Sequence, residues 1–294
     1  MTLDTPFTCV LDVKASLGEC ALWSVDDQAL WWVDINAPSL NRFDPRTASN
    51  TSIALPDAIG CFAFRPRDGG FVLAMRSGVW FADRHGRPTR RIVEPPFEPA
   101  HHRFNDGRCD RQGRFYAGTM NELRDAPSGA LFRLDPDLSF TRVIDSMTIS
   151  NGLALSPDGR TMYHADTPTR TVNAFDYDTS TGTPAHSRVF ARFSAEGDRP
   201  DGCTVDSEGC YWSAFYRGGK VVRIAPDGRL LAEYPVPAMC PTMCALGGPD
   251  LRTLFVTSAR QQRSDEELAQ LPQSGGIFAM RVDVPGIREP SFAG

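Results

Sequence analysis

The sequence predicts an all-β fold, a six-bladed β-propeller, and three observations carry that expectation. First, one pattern is written six times in 294 residues: a small or polar residue leads a short apolar strand, a turn with Asp and usually Gly follows, then an aromatic-rich strand. The copies read GECALWSVDDQALWWVDI, GCFAFRPRDGGFVLAM, DGRCDRQGRFYAGT, NGLALSPDGRTMYHAD, DGCTVDSEGCYWSAF and MCALGGPDLRTLFVTS. Their turn aspartates, Asp27, Asp68, Asp110, Asp158, Asp206 and Asp250, recur every 41 to 48 residues, within the range of propeller blades. Second, each copy continues into a third alternating segment: LNRFDP, VWFADR, ALFRLDP, VNAFDYD, VVRIAPDG and GIFAMRVD, with Phe43, Phe81, Leu134, Phe175, Ile224 and Met280 in comparable places. Third, a unit of three or four short strands cannot bury both faces alone, so neighbouring units must pack face to face and close a ring.

The turns agree. SPDGR, APDGR and DPRT place Pro, Asp and Gly where tight hairpins need restricted or positive φ. One short helix is expected, because Ser264 with Glu267 three residues on forms a capping box before LAQL, and Pro272 ends it. No linker-like stretch interrupts the repeat, so residues 1–294 read as a single domain. The first eight or so residues precede the pattern and are expected to pair into the last blade.

A net charge of −5 with interspersed signs leaves no nucleic-acid footprint, and the basic run RHGRPTRR lacks interleaved aromatics and reads as a solvated loop. No apolar h-region opens the chain and no run approaches a membrane span, so a cytoplasmic protein with no membrane partner, monomeric by default, is expected. Of the eight cysteines, Cys20, Cys61, Cys109, Cys203 and Cys244 recur on the first strands and read as small buried hydrophobes of a reducing compartment. Cys240 and Cys244 are not completed by a second Cys or His pair, which argues against zinc there. DYDTSTG imitates the start of an EF-hand loop, but Ser187 stands where the bidentate Glu is needed, so it reads as a turn.

First strands of propeller blades line the central channel, so residues at their beginnings meet at one mouth. The repeats place Glu19, Asp106, Asn151 and Asp201 at or within a residue of that entry, and small residues near Gly60 and Thr242 at the other two. Carboxylates gathered on a narrow axis need a cation or a tight hydrogen-bond set. Two carboxylates and an amide oxygen suit Ca²⁺, Mg²⁺ or Mn²⁺, with Zn²⁺ or Fe²⁺ also admitted. Any single Asn-Gly or Asp-Gly pair would serve equally as a turn cap; their common repeat phase argues for convergence. In the third repeat, His101 and His102 precede RFNDG and AGTMNE follows, bringing Arg103, Asn105 and Glu122 to the same mouth. A guanidinium fork, an amide and a carboxylate suit a polyhydroxylated ligand, although Arg103 and Glu122 would equally make a surface salt bridge. His164 lies inside an alternating strand and reads as structural.

At these residues, and through LGECALW, RFNDG, AGTM, SNGLALSPDG, PDGCTVD and GGPDLRTLFVTSAR in that order, the chain resembles the senescence marker protein/gluconolactonase family of regucalcin-like sugar lactonases. The resemblance implies a six-bladed propeller with one divalent metal on its axis. It implies Glu19, Asn151 and Asp201 as metal ligands and Asp201 as general base. Arg103, Asn105 and Glu122 match the family's substrate contacts, and Asp106 falls beside the metal site as an orienting group. The chain departs from the family's frequent Gly-Pro after the metal-binding Glu, having Cys20-Ala21 there. The implied activity is metal-dependent hydrolysis of an aldono-lactone, such as a glucono-, xylono- or arabinono-lactone, to the sugar acid. A metal-dependent phosphotriesterase or esterase and a non-catalytic calcium- or ligand-binding propeller are the rival readings. The absence of a G-x-S-x-G elbow and of H-E-x-x-H argues against a serine nucleophile or a zincin site.

Overall fold

Each aspartate turn folds its repeat back on itself. In the third repeat Asp110 Oδ1 accepts from the backbone N–H of Gln112 (3.0 Å) and Arg114 (2.8 Å), while Gly113 takes φ +79°, which L side chains rarely adopt. The fifth repeat does the same with Asp206, Glu208, Cys210 and Gly209. A computed structural model describes residues 4–294, and in it the hairpins build six four-stranded antiparallel sheets. The first strands are Gly18–Ser24, Ile59–Arg65, His102–Cys109, Ser150–Leu155, Arg199–Val205 and Pro241–Gly247. All six expected third strands form. An outer strand that the periodicity left open completes each blade, and in the first five its residues are largely exposed.

First strands of successive blades pack side by side, and the sixth packs against the first, so the ring closes. The outer strand of the last blade is Thr8–Leu11, paired with Ile277–Arg281. The closing strand therefore begins where the expected one was to end; residues 1–3 of that expectation lie outside the described residues. The helix forms over Asp265–Gln270, with Ser264 Oγ accepting from Glu267 N at 3.2 Å. DYDTSTG is a hairpin turn, Asp178 accepting from Ser180 N. All eight cysteines are free and seven are buried. Among the described residues no helix is long and apolar enough to cross a membrane.

The core lies between blades. Trp31, Phe62 and Phe71 fill the wedge between the first and second, Tyr163, Tyr211 and Phe215 that between the fourth and fifth, and Trp23, Trp32 and Phe255 that between the sixth and first. At the axis, by contrast, backbones touch. A Cβ on Gly60 would lie 2.3 Å from the carbonyl carbon and oxygen of Phe104, and one on Gly202 would meet Met243 Sδ at 2.2 Å. Every first strand also carries a register shift beside its entry, between Glu19 and Leu22, Ile59 and Cys61, Phe104 and Gly107, Asn151 and Ala154, Pro200 and Cys203, and Pro241 and Met243. A bulge breaks the strict alternation of a strand and re-aims the side chains beside it.

Gly60→Ala is expected to destabilise the ring by about 1–3 kcal/mol, because backbone rather than a flexible side chain stands in the way. The urea unfolding midpoint of the variant measures this; an unchanged midpoint would mean that the strands can separate freely.

Candidate active site

The bulges determine what faces the channel. Glu19, Asn151 and Asp201 come from the first, fourth and fifth blades, and with Arg103 and Asn105 from the third they line one cavity of about 410 Å³. Asp106, one residue beyond Asn105, turns to backbone instead, accepting from Gly107 N (2.8 Å) and Leu153 N (2.9 Å) and so tying the third blade to the fourth. Within the aligned entries, Asn105 is therefore the residue of the third blade that reaches the cavity. Glu122 does not line it. Its carboxylate takes a two-point contact from Arg76 (2.7 and 3.0 Å) and lies 3.5 Å from Arg103 Nε, so it braces the arginine from behind.

A chain of oriented hydrogen bonds crosses three blades at this floor. Arg103 Nη1 donates to Asn105 Oδ1 (2.6 Å), Asn105 Nδ2 to Asn151 Oδ1 (2.7 Å) and Asn151 Nδ2 to Thr167 Oγ1 (2.8 Å). Thr167 in turn donates to the carbonyl of Pro200 (2.8 Å), the residue before Asp201. Both ends of the Asn151 amide are thereby fixed, and the residue lines the cavity. Asn105 Nδ2 also donates to Ser150 O (3.0 Å), so both of its N–H groups are engaged. Among the described residues no side-chain donor reaches the carboxylates of Glu19 or Asp201.

That leaves two buried carboxyls facing one space. Burial pushes Glu19 up to about 8, helped by the charge of Asp106 and opposed by Arg103. Burial, then the charges of Glu19 and Asp106, hold Asp201 well above the ordinary carboxylate range. Asp106 rises less, to about 6: burial raises it, while the Leu153 N–H and Arg108 pull it back. Among the described residues no three His, Cys, Asp or Glu side chains are grouped to hold a metal; Glu19 and Asp201 share their cavity with the Asn151 amide. This all-oxygen set, with Asn151 pre-oriented and two carboxylates lacking side-chain donors, fits a hard divalent cation.

Several supports were not anticipated. Asp34 accepts from the N–H groups of Ser16, Leu17, Asn36 and Ala37, holding the loop before Glu19; Asp166 does the same for Thr148 and Ile149 before Asn151. The signal was an Asp ending the second strand in both repeats. Beneath the floor the buried Arg108 pairs with the half-buried Glu289 at 2.5 Å, which ties the chain's last segment to the third blade. The histidines stand apart from the cavity lining: His101 is exposed, His102 Nε2 meets Ser128 Oγ (2.7 Å), and His164 Nε2 meets Ser150 Oγ (2.7 Å) in the interior.

The family model described as SMP-30/Gluconolactonase/LRE-like region matches residues 17–260. The chain is 49% identical over 288 residues to the 6-deoxy-6-sulfogluconolactonase of Pseudomonas putida, across 97% of this chain and 98% of that one. It is 36% identical over 293 residues to regucalcin of Xenopus laevis, across 97% and 98% of the two chains. Its fold matches the crystal structure of a calcium-binding protein, regucalcin, from Agrobacterium tumefaciens with a TM-score of 0.93 and 28% identity over 98% of each chain.

Two outcomes follow from the geometry. Thr167→Val leaves the Asn151 amide and the Pro200 carbonyl unpaired and is expected to cost about 1–3 kcal/mol in urea unfolding. His164 is held down to about 4 by burial, against about 6.5 in an unfolded chain. Only the unfolded state then takes up a proton between those values, so stability is full above pH 6.5 and is lost as pH falls toward 4. His164→Gln should lose about 2 kcal/mol less than the parent between pH 7.5 and 4.5. An equal loss in both would show that His164 titrates normally in the fold.

Proposed function

Because the chain belongs to the SMP-30/Gluconolactonase/LRE-like family, we propose that it is a sugar lactonase that opens an aldono-lactone of pentonic or hexonic type to the sugar acid, using a divalent cation held by Glu19, Asn151 and Asp201. One observation carries the reading: two buried carboxylates without side-chain donors share a cavity with an amide held at both its oxygen and its nitrogen and with a buried guanidinium. The printed names of the relatives support it, one being a sulfogluconolactonase and another a calcium-binding regucalcin.

A divalent cation bound there supplies Lewis-acid polarisation of an ester carbonyl and positive charge where negative charge develops. Asp201 takes a proton from the water that attacks the carbonyl carbon. It returns that proton to the ring oxygen as the C–O bond opens, giving a carboxylic acid and a free hydroxyl without a covalent enzyme intermediate. Arg103 has Nη1 committed to Asn105 and the Phe104 carbonyl (2.9 Å) and Nε turned toward Glu122, which leaves Nη2 for a ring or hydroxyl oxygen of the substrate. Asn105, with both N–H groups engaged, offers a substrate hydroxyl only its remaining oxygen lone pair. Glu122 acts by fixing Arg103.

The test is proton release from a panel of pentono- and hexono-lactones by chelator-stripped protein, then with Ca²⁺, Mn²⁺, Zn²⁺, Mg²⁺ or Fe²⁺ restored. Turnover is expected to vanish on stripping and return with a cation on at least one lactone. Asp201→Asn should lower kcat by about 10²–10⁴-fold. Undiminished turnover in that variant would remove Asp201 from the mechanism, and cation binding without turnover on any lactone would leave a binding protein.

A further inference from the structure

The rim of the cavity carries positive charge that the hydrolysis does not use. Arg124, Arg170 and Arg199 line the same space as Glu19, Asn151 and Asp201. Arg124 lies between the second and third strands of the third blade, Arg170 in the corresponding connection of the fourth, and Arg199 at the entry of the fifth. They thus form an arc over three adjacent blades, across the ring from Glu19.

None of the three is neutralised. Among the described residues no carboxylate lies within 4.0 Å of any of their guanidiniums and none of them stacks on an aromatic ring, whereas Arg76, Arg103, Arg108 and Arg114 all have acidic partners. Among the described residues their one side-chain hydrogen bond is Arg199 Nε donating to the Glu196 carbonyl at 3.4 Å. Arg124 and Arg170 also occupy left-handed backbone, at φ +57° and +56°, each closing a turn onto Asn121 O and Thr167 O. A side chain costs about 1–2 kcal/mol there, and glycine would relieve it. Like charges held along one wall repel each other unless an anion comes between them. A neutral aldono-lactone gives such an arc nothing to neutralise.

We propose that Arg124, Arg170 and Arg199 form an anion subsite that selects lactones bearing a strongly acidic tetrahedral group, sulfonate or phosphate, at the end of the sugar remote from the reacting ester. The assignment rests on the lactonase reading: the carboxylates at the floor place the ester there, and the rim loops receive the other end. A volume of about 410 Å³ accommodates a hexonic lactone with such a substituent. Guanidinium forks match both oxyanions, so the subsite is defined by charge and tetrahedral oxygen, with the two substituents separated by measurement.

The experiment compares kcat/KM of the cation-loaded protein on glucono-lactone, 6-phosphoglucono-lactone and 6-deoxy-6-sulfoglucono-lactone, at low and high salt. At least one anionic lactone is expected to exceed the neutral one by about tenfold or more, with the advantage shrinking in salt. The better of the two anions identifies the substituent. Arg170→Gln and Arg199→Gln should each lower the anionic-to-neutral ratio by about tenfold, and Arg170→Lys should recover part of it. Circular dichroism melting verifies that each variant is folded. Equal kcat/KM for neutral and charged lactones, or a ratio that survives the combined Arg124→Gln, Arg170→Gln and Arg199→Gln substitutions, would overturn the subsite while leaving the lactonase intact. Failure to hydrolyse any of the three lactones would instead count against the lactonase reading, and the subsite would fall with it.

Discussion

Two carboxylates brought onto one narrow axis, out of bulk water and without a side-chain donor, are the constraint to which the rest of this ring answers. Like charges in such a place raise each other's proton affinity and resist closure of the blades around them. The protein supplies one buried cation nearby, Arg103, and commits it through Asn105, Asn151 and Thr167 to the carbonyl before Asp201. The polar chain thereby couples three blades and fixes an amide that lines the same cavity as the two carboxylates. Replacing the charges by apolar groups would be the simpler way to stabilise a closed propeller, so their retention accords with the proposed cation.

Precision at the floor depends on features some distance from it. Bulges beside each entry break the alternation of the first strands, so that Asn105 faces the cavity and its neighbour Asp106 bonds backbone. Gly60 and Gly202 let those backbones approach closely enough for side chains from separate blades to meet. Asp34 and Asp166 fix the loops that deliver Glu19 and Asn151. Below, Arg108 pairs with Glu289 and ties the last segment to the third blade, and removing Glu289 would strand a buried guanidinium. The site is open to solvent at one mouth and supported from the other.

Much of this was legible in the sequence because a repeat converts position into geometry. The turn aspartates gave the blade count, and the phase of Glu19, Asn151 and Asp201 within the repeat brought them to one cavity. What stayed hidden depended on departures from regularity. Strand alternation alone does not say whether Asn105 or Asp106 turns inward, because a bulge decides it. Glu122 could be read as a ligand contact or as a salt bridge, and only the position of Arg76, 46 residues earlier, shows it bracing Arg103. Outer strands lack a signal because their exposed residues need no apolar alternation, and the closing strand Thr8–Leu11 belongs to no repeat of its own. Arg124 and Arg170 sit in connections within the third and fourth blades and Arg199 opens the first strand of the fifth, positions whose residue type the repeat pattern does not constrain.

Anomalous diffraction from crystals soaked in Mn²⁺ decides whether the carboxylate pair holds a cation. One strong peak is expected on the axis, about 2.0–2.6 Å from oxygens of Glu19, Asn151 and Asp201, the range of hard divalent cations with oxygen ligands. A mouth without a peak, in a protein whose lactone turnover survives chelation, would contradict it: the carboxylates would then be working as an acid–base pair on their own.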